Sequence, residues 1–222
     1  MRTCIIAQPR TRSNYMIFRA SNWYQKHYNS KVPIEPYADI WSTPVGSWDL
    51  VSKITAEIFL NPSFAIKIQT TDLAAQDNSY IYFHRYNLLE YDSIFLLHRS
   101  NVIDQISSLV VAYETKSYIH TEKPSASNFV ITFDLDKHYF LIPMILEDYT
   151  KLTLIKEYLK QNQKSFISLD YDEVVNYTNE NFPNVTVDCV ETGFDYKNMI
   201  SNYEFLKELI ETHFENFNYN KN

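Results

Sequence analysis

Short apolar runs alternate along this chain with segments long enough to form helices. The runs have the length and bulky apolar composition of buried strands. They lie at residues 3–7, within a strand predicted over 2–8, and at 64–68, 93–97 and 166–169. When a helix connects two strands of one sheet, the strands are parallel and the helices cover the faces of the sheet. The order therefore predicts an α/β fold, with a mainly parallel sheet between two layers of helices. A length of 222 residues fits a single domain spanning residues 1–222.

Apolar side chains at helical spacing mark the segments between and after the strands. The predicted helices cover 13–27, 48–61 with Ser47 as the N-cap, 102–113, 140–161 mainly after Pro143, and 196–214. A further helix is predicted to begin at Thr71 or Asp72, and 117–128 is predicted to be an exposed loop. Pro33 and Pro36 each disfavour helix in the preceding residue, so they place Glu35 in a loop.

The net charge limits the kinds of ligand that the protein can bind, and the cysteines indicate the compartment in which it works. A formal net charge of −7 argues against a general nucleic-acid binder, which needs a broad basic surface, so an anion would bind in a local basic pocket. Cys4 and Cys189 lie far apart in apolar runs, which predicts buried thiols in a reducing compartment rather than a disulfide. The sequence shows no metal-ligand spacing, so no metal is expected. It predicts no particular oligomeric state.

We expect the protein to work inside the cell and without a membrane. No apolar stretch approaches the roughly 20 residues that span a bilayer. The N-terminus lacks the features of a secretory signal peptide. Only two glycines, with abundant Asn, Tyr, Phe, Lys and Ile, are typical of an AT-rich genome such as that of a phage or virus. The expected location is therefore the cytoplasm, or the host cytoplasm if the protein is viral.

Two predicted strand-to-helix turns carry arginine. The first is Gln8-Pro9-Arg10-Thr11-Arg12-Ser13-Asn14-Tyr15, and the second is His98-Arg99-Ser100-Asn101. Backbone N–H groups and the positive end of a helix dipole meet at such turns, and arginine adds charge. The pattern predicts a site for an anion, in the first place a ligand that carries phosphate. Ordinary surface arginines are the alternative.

The first turn resembles the 5′-phosphosulfate-binding loop of sulfotransferases. The pattern of that family is roughly Pro-Lys/Arg-Ser/Thr-Gly-Ser/Thr-Thr, which residues 9–14 follow except that Arg12 stands in place of Gly and Asn14 in place of Thr. Arg99 and Ser107 are similar to the family's 3′-phosphate motif, an Arg at a strand end and a Ser on the following helix. The segment 169–174 is also similar to the Tyr-Glu-Asp-Leu segment found downstream in many sulfotransferases.

The resemblance implies the P-loop-NTPase-like fold of sulfotransferases and their donor. The donor would be 3′-phosphoadenosine 5′-phosphosulfate (PAPS), the product adenosine 3′,5′-bisphosphate (PAP), and no metal would be needed. The residues that the resemblance implies for donor binding are Arg10, Thr11, Arg12, Ser13, Asn14, Tyr15, Arg99 and Ser107. Arg10 would also act in catalysis, by stabilising the charge that grows on the leaving nucleotide.

The resemblance also implies a base and a class of acceptor. Several bacterial carbohydrate sulfotransferases use a Glu from a Pro-rich loop after the first helix, and Glu35 is placed like it. Glu35 would accept the proton of the acceptor, which is expected to be a hydroxyl or amine of a carbohydrate or small metabolite.

For several other side chains, the sequence leaves a functional role and a structural role as alternatives. Lys67 lies either beside the sulfuryl group or on an edge strand or strand end. His84 is a reserve base, and His98 and Tyr171 are expected to pack. A non-catalytic nucleotide- or phosphate-binding protein is the main alternative function. A nucleotide-dependent phosphotransferase is less favoured, because the chain contains no Gly-x4-Gly-Lys-Ser/Thr sequence.

Overall fold

The four apolar runs form one parallel sheet. The computed structural model describes residues 1–38, 48–73, 80–116, 130–187 and 195–215. Its strands are β1 Arg2–Ala7, β2 Phe64–Gln69, β3 Ser93–His98 and β4 Ile167–Asp170. They lie in the order β2-β1-β3-β4, and every neighbouring pair is parallel. The prediction of an α/β fold with a parallel sheet is therefore confirmed.

Helices occupy much of the chain between and after the strands. They are α1 Ser13–Tyr28, α2 Trp48–Phe59, α3 Val102–Thr115, α4 Leu135–His138, α5 Leu141–Gln161, α6 Val174–Asn181, α7 Tyr196–Met199 and α8 Tyr203–Glu215. Short 3₁₀ turns cover Thr70–Asp72, Tyr80–Tyr86 and Leu88–Glu90. Among the described helices, none combines the length and the apolar character needed to cross a bilayer.

The chain divides into two compact units. Unit 1 comprises Met1–His98 and Asp148–Val187, and it holds the whole sheet. Unit 2 comprises Arg99–Glu147 and Asp188–Asn222.

In unit 1, helices cover both faces of the sheet. Successive residues of a strand point to opposite faces, and β1 shows the result. Cys4 and Ile6 join a core with α2 and with the part of α5 in unit 1, whereas Ile5 and Ala7 join a core with α1 and α6. All four side chains are fully buried. A strand buried on both faces needs apolar residues at successive positions, which explains why the run in β1 is continuous rather than alternating.

The strand order places a change of direction next to β1. From β1 the chain crosses to β2 on one side, and after β2 it passes to β3 on the other side of β1. In sheets of this kind, ligands bind outside the carboxyl ends of the strands at the switch point, which here lies between β1 and β3. The turn that follows β1 therefore begins at the edge where a ligand is expected.

Unit 2 contains helices whose first turns are capped by side chains. Asn101 accepts the Asp104 N–H at 3.1 Å where α3 begins, which satisfies a donor that has no partner within the helix. Asp134 caps α4, and the buried His138 ring accepts the Asp134 N–H through Nδ1 at 2.9 Å. Local side chains thus fix the start of both helices.

Three predicted helices match α1, α2 and α3 to within two residues at each end, and two others differ more. α5 begins at Leu141 rather than after Pro143, because a proline is tolerated in the first turn, where its missing N–H would have no intrahelical partner. The predicted helix 196–214 is divided into α7 and α8, because the backbone of Ile200 leaves the helix and pairs with Ile131.

Other expectations have mixed outcomes. At Thr71 and Asp72 the chain forms the 3₁₀ turn Thr70–Asp72, and the helices α4 and α6 were not predicted. Cys4 is a buried free thiol, as predicted, and burial raises the pKa of that thiol. Ser47, Cys189 and the predicted loop 117–128 lie outside the described residues.

Candidate anion-binding site

The turn after β1 is held by backbone and hydroxyl contacts. The Gln8 N–H donates to the Leu97 carbonyl at 3.2 Å, which joins the start of the turn to strand β3. Thr11 Oγ1 donates to the Gln8 carbonyl at 2.8 Å, and the Met16 N–H donates to the Arg12 carbonyl at 3.2 Å as α1 begins. The Thr11 hydroxyl proton is therefore used within the turn, and a ligand would meet the backbone N–H groups instead.

The turn has a backbone conformation that usually favours glycine. Arg10 and Arg12 have φ angles of 62° and 59°, both in the left-handed region. Glycine enters this region without a clash, whereas a side chain with a Cβ atom disfavours it. Arg12, which stands at the glycine position of the sulfotransferase pattern, has the backbone that a glycine would adopt easily. The turn thus keeps a glycine-like conformation without a glycine.

The first turn of α1 is suited to an anion. The first N–H groups of a helix lack intrahelical acceptors, and the helix dipole adds positive potential there. Arg12 at the N-cap makes no capping hydrogen bond through its side chain, and the first turn contains no acidic residue. The N–H groups that open α1 are therefore not neutralised by a carboxylate of the helix itself, and a phosphate or sulfate group fits their charge.

A buried lysine lies against this first turn. Lys67 belongs to β2, and its side chain is only 1% exposed. Its ammonium group donates to Asn14 Oδ1 at 2.5 Å and forms an ion pair with the Glu35 carboxylate. The structure thus brings two of the predicted site residues, Asn14 and Glu35, to one buried cation. A charge inside a protein needs such partners, because an isolated buried charge is very costly.

The loop that carries Glu35 runs along the outer edge of β2. The Lys67 N–H donates to the Ile34 carbonyl at 2.7 Å, and the Ala38 N–H donates to the Glu35 carbonyl at 3.3 Å. The Glu35 side chain remains 35% exposed, so one partner of the ion pair is in contact with solvent. A ligand at the start of α1 would therefore lie near a carboxylate that water can still reach.

The remaining side chains of the first turn point in several directions. Ser13 is buried, and Arg10 is half-buried. The Tyr15 hydroxyl donates to Asn179 Oδ1 at 2.7 Å, which ties α1 to α6. The Arg12 guanidinium lies over the ring of Tyr171, so Tyr171 packs as expected. Tyr15 and Arg12 thus use their side chains on neighbouring elements of unit 1.

The second predicted turn belongs to unit 2 from Arg99 onward. Arg99 is 6% exposed, and its guanidinium donates to Asp104 Oδ2 at 3.4 Å. Ser107 lies one turn beyond Asp104 on the same side of α3, and it is fully buried. Its hydroxyl has no hydrogen-bond partner among the described residues. A buried hydroxyl without a partner is unfavourable, because it has given up its hydrogen bonds to water.

Two histidines are placed differently from one another. His98 ends β3, and its Nδ1 lies 3.3 Å from Asp170 Oδ2 at the end of β4, so it packs at a strand end as expected. Burial and the nearby Lys156 ammonium lower the pKa of His98, while Asp170 and Glu173 oppose the shift. His84 is exposed and lines a cavity of about 380 Å³.

That cavity lies between α2 and the 3₁₀ turn Tyr80–Tyr86. Its lining consists of Ser52, Thr55, Ala56, His84, Arg85 and Asn87. None of these residues belongs to the cluster that Lys67 forms with Glu35 and Asn14. In the part of the chain that the structure describes, no group of three or more His, Cys, Asp or Glu side chains is arranged to hold a metal ion.

The pairing of Lys67 with Glu35 is the feature that sequence reasoning missed. A signal was present, because a lysine in the middle of the apolar run 64–68 must either reach solvent or find a partner. Asp104 as the partner of Arg99 was also missed. No protein-family model and no curated protein matches the chain. The chemistry of the site is therefore inferred from its own side chains.

Proposed function

We propose that the protein is a sulfotransferase that moves a sulfuryl group from PAPS to a hydroxyl or amine of a carbohydrate or small metabolite. The observation that carries the proposal is the cluster of Lys67, Glu35 and Asn14 at the start of α1. It combines a buried cation, a solvent-accessible carboxylate and a helix N-terminus. The fold would be the P-loop-like fold of that family, which the parallel sheet and the basic turn after β1 support.

The turn after β1 would hold the 5′ end of the donor. Arg10 and the N–H groups of residues 11–14 would bind the 5′-phosphate, because both carry positive charge that a phosphate attracts. During transfer, the acceptor oxygen forms a bond to sulfur while the bond from sulfur to the bridging phosphate oxygen breaks. Negative charge then grows on the departing PAP, and Arg10 would stabilise it.

The Lys67 cluster would serve the transferring group and the acceptor. The Lys67 ammonium would neutralise charge on the sulfuryl oxygens, and Glu35 would accept the proton that the acceptor hydroxyl loses. The Glu35–Lys67 ion pair supports this division of roles, because it keeps the cation and the base at adjacent positions before the substrates arrive.

Arg99 and Ser107 would bind the 3′-phosphate. The support within unit 2 is a buried guanidinium just before α3 and a buried hydroxyl on α3 that has no hydrogen-bond partner among the described residues. The 3′-phosphate would replace Asp104 as the main partner of Arg99, since it carries more negative charge. These contacts would distinguish PAPS from AMP.

One observation favours the alternative of a non-catalytic nucleotide- or phosphate-binding protein. The Glu35 carboxylate already pairs with Lys67, so in such a protein it would serve only to balance a buried charge. The anion site at α1 would then hold a ligand without transferring any group.

Calorimetric titration with PAP, with AMP as the matched ligand, tests the donor site. We expect PAP to bind about 10- to 100-fold more tightly than AMP, the size expected for charge-assisted contacts to one extra phosphate. Ser107→Ala and Arg10→Ala should both weaken PAP binding, and Ser107→Ala should leave AMP binding unchanged. Ser201→Ala, an exposed serine of unit 2, is the control. Equal affinity for PAP and AMP would contradict the 3′-phosphate assignment.

Turnover of PAPS separates the enzyme from the binding protein. We expect slow release of PAP from PAPS as the sulfuryl group passes to water, measured by ion-pair chromatography. Glu35→Gln and Lys67→Met should lower this rate at least tenfold, while Glu157→Gln, at an exposed ion pair with Lys160, should not. Tight PAP binding without any PAPS turnover, with and without a panel of sugar acceptors, would favour the binding protein.

A further inference from the structure

Arg12 fastens the turn after β1 to the turn between β4 and α6. Its Nη1 donates to the Tyr171 carbonyl at 3.0 Å, and its guanidinium carbon lies 3.8 Å from the centre of the Tyr171 ring. The same guanidinium is 4.0 Å from Asp172 Oδ1. A hydrogen bond, a cation–π contact and an ion pair therefore hold one side chain, which is only 18% exposed.

The backbone of the same residue shapes the start of α1. Arg12 has φ 59° and ψ 19°, and its carbonyl accepts the Met16 N–H. A residue with a Cβ atom enters this region at a cost, so something must hold Arg12 there. The contacts with Tyr171 and Asp172 are suited to that, because they fix the side chain of the strained residue itself.

We propose that Arg12 is a positioning residue, whose anchor on Tyr171 holds the glycine-free turn in the shape that presents its N–H groups to a phosphate. The proposal rests on the proposed function for the identity of that phosphate. A glycine would adopt this positive φ without strain. This chain has an arginine there instead, and the arginine side chain is held by Tyr171 and Asp172. The backbone of Arg12 then helps to shape the anion site, while its guanidinium group contacts the turn between β4 and α6.

Hydrogen exchange of the ligand-free protein, followed by mass spectrometry, tests the anchor directly. Arg12→Gly keeps a backbone that accepts positive φ but loses the side chain, and Tyr171→Ala removes the ring. Each should raise exchange about tenfold in peptides that contain the Met16 amide and the Glu173 amide, which lie on the two sides of the anchor. Tyr171→Phe keeps the ring and the carbonyl, so it should exchange like the unaltered protein.

Titration with PAP then distinguishes positioning from direct contact. If Arg12 positions the turn, Tyr171→Ala weakens PAP binding about as much as Arg12→Gly, and Tyr171→Phe has no effect. If the Arg12 guanidinium binds the phosphate itself, Arg12→Gly alone weakens binding. Arg12→Lys keeps the charge but not the planar fork, so it should remain weak under the proposal.

The outcomes separate the two proposals. Unchanged exchange at the Met16 amide in Arg12→Gly would overturn the anchor, whatever the ligand. Raised exchange in Arg12→Gly and Tyr171→Ala supports the anchor even if the unaltered protein does not bind PAP, a result that would contradict the proposed function alone. Thermal unfolding followed by circular dichroism checks that each variant is folded, and Arg12→Lys supplies the exchange comparison if Arg12→Gly is not.

Discussion

Lys67 shows how one charged side chain is kept inside a strand. Its neighbours Ile66 and Ile68 are fully buried, and Lys67 itself points to the face of the sheet that α1 covers. Among the described residues, its ammonium group pairs with Glu35 of a loop and with Asn14 in the first turn of α1. Removing the Glu35 charge leaves a buried ammonium group without its counter-charge, whereas removing the Lys67 charge leaves a carboxylate that is 35% exposed and can be hydrated.

The Lys67 cluster therefore predicts unequal effects on stability. Glu35→Gln should lower the free energy of unfolding by about 1–3 kcal/mol, because it leaves a buried charge with weaker partners; the partial exposure of Glu35 keeps the cost in this range. Lys67→Met should lower it by about 1 kcal/mol or less, because the Glu35 carboxylate that it leaves unpaired is partly exposed and can be hydrated. Urea unfolding measures both. Glu157→Gln should stay within about 0.5 kcal/mol, and a larger loss for Lys67→Met than for Glu35→Gln would contradict the prediction.

Among the elements, strands were easier to predict than helices. The strands β1 and β3 are largely apolar runs, because helices cover both faces of the sheet there, and such runs are visible locally. The first two residues of β4 are exposed, but Ile167 and Leu169 still mark that strand. The α6 sequence Val-Val-Asn-Tyr-Thr-Asn-Glu-Asn is polar and β-branched, and its helix is supported by α1 through the bond of Tyr15 to Asn179. The break at Ile200 depends on Ile131, which lies far away in sequence.

The candidate site was likewise predictable only in part. The location of the turn after β1 could be predicted, because a strand, a basic turn and a helix follow one another in the sequence. The contact of Lys67 with Asn14 and Glu35 could not, because it depends on β2 lying beside β1 in one register. Contacts set by strand order are invisible to local patterns.

The surroundings of His98, at the ends of β3 and β4, predict that the stability of the protein depends on pH. Burial and Lys156 on α5 hold the pKa of His98 below its ordinary value of 6.5, against the pull of Asp170 and Glu173. As the pH falls below 6.5, the unfolded chain takes up a proton at His98 before the folded protein does. Stability attributable to His98 therefore decreases with falling pH, until the folded pKa is reached, and is unaffected well above 6.5.

Urea unfolding between pH 8 and pH 5 measures this effect. The unaltered protein should lose stability on acidification faster than His98→Asn, so the difference between the two should change as the pH passes below 6.5. His27→Asn, which alters an exposed histidine of α1, should follow the unaltered protein closely. Parallel curves for His98→Asn and the unaltered protein would show that His98 has the same pKa in both states.

At the scale of the whole molecule, the order of the strands in the sheet determines which strands unfold last. β1 and β3 each have a neighbouring strand on both sides, whereas β2 and β4 lie at the edges. Edge strands bond to a strand on one side only, so their outward N–H groups depend on whatever else covers them. The loop that carries Glu35 covers part of the β2 edge, because the Ile34 carbonyl accepts the Lys67 N–H.

Amide hydrogen exchange, resolved by residue, should reproduce this order. The amides of β1 and β3 should exchange most slowly, near the limit set by global unfolding, and most of those in β2 and β4 should exchange faster. Lys67 should be an exception on β2, because its N–H is bonded to Ile34. Glu35→Gln loosens that loop, so it should speed exchange at Lys67 and leave the amide of Ile5 on β1 changed only by the loss of global stability. Equal acceleration at Lys67 and Ile5 would mean that the loop opens only with the whole sheet, and that the Glu35–Lys67 pair does not hold it locally.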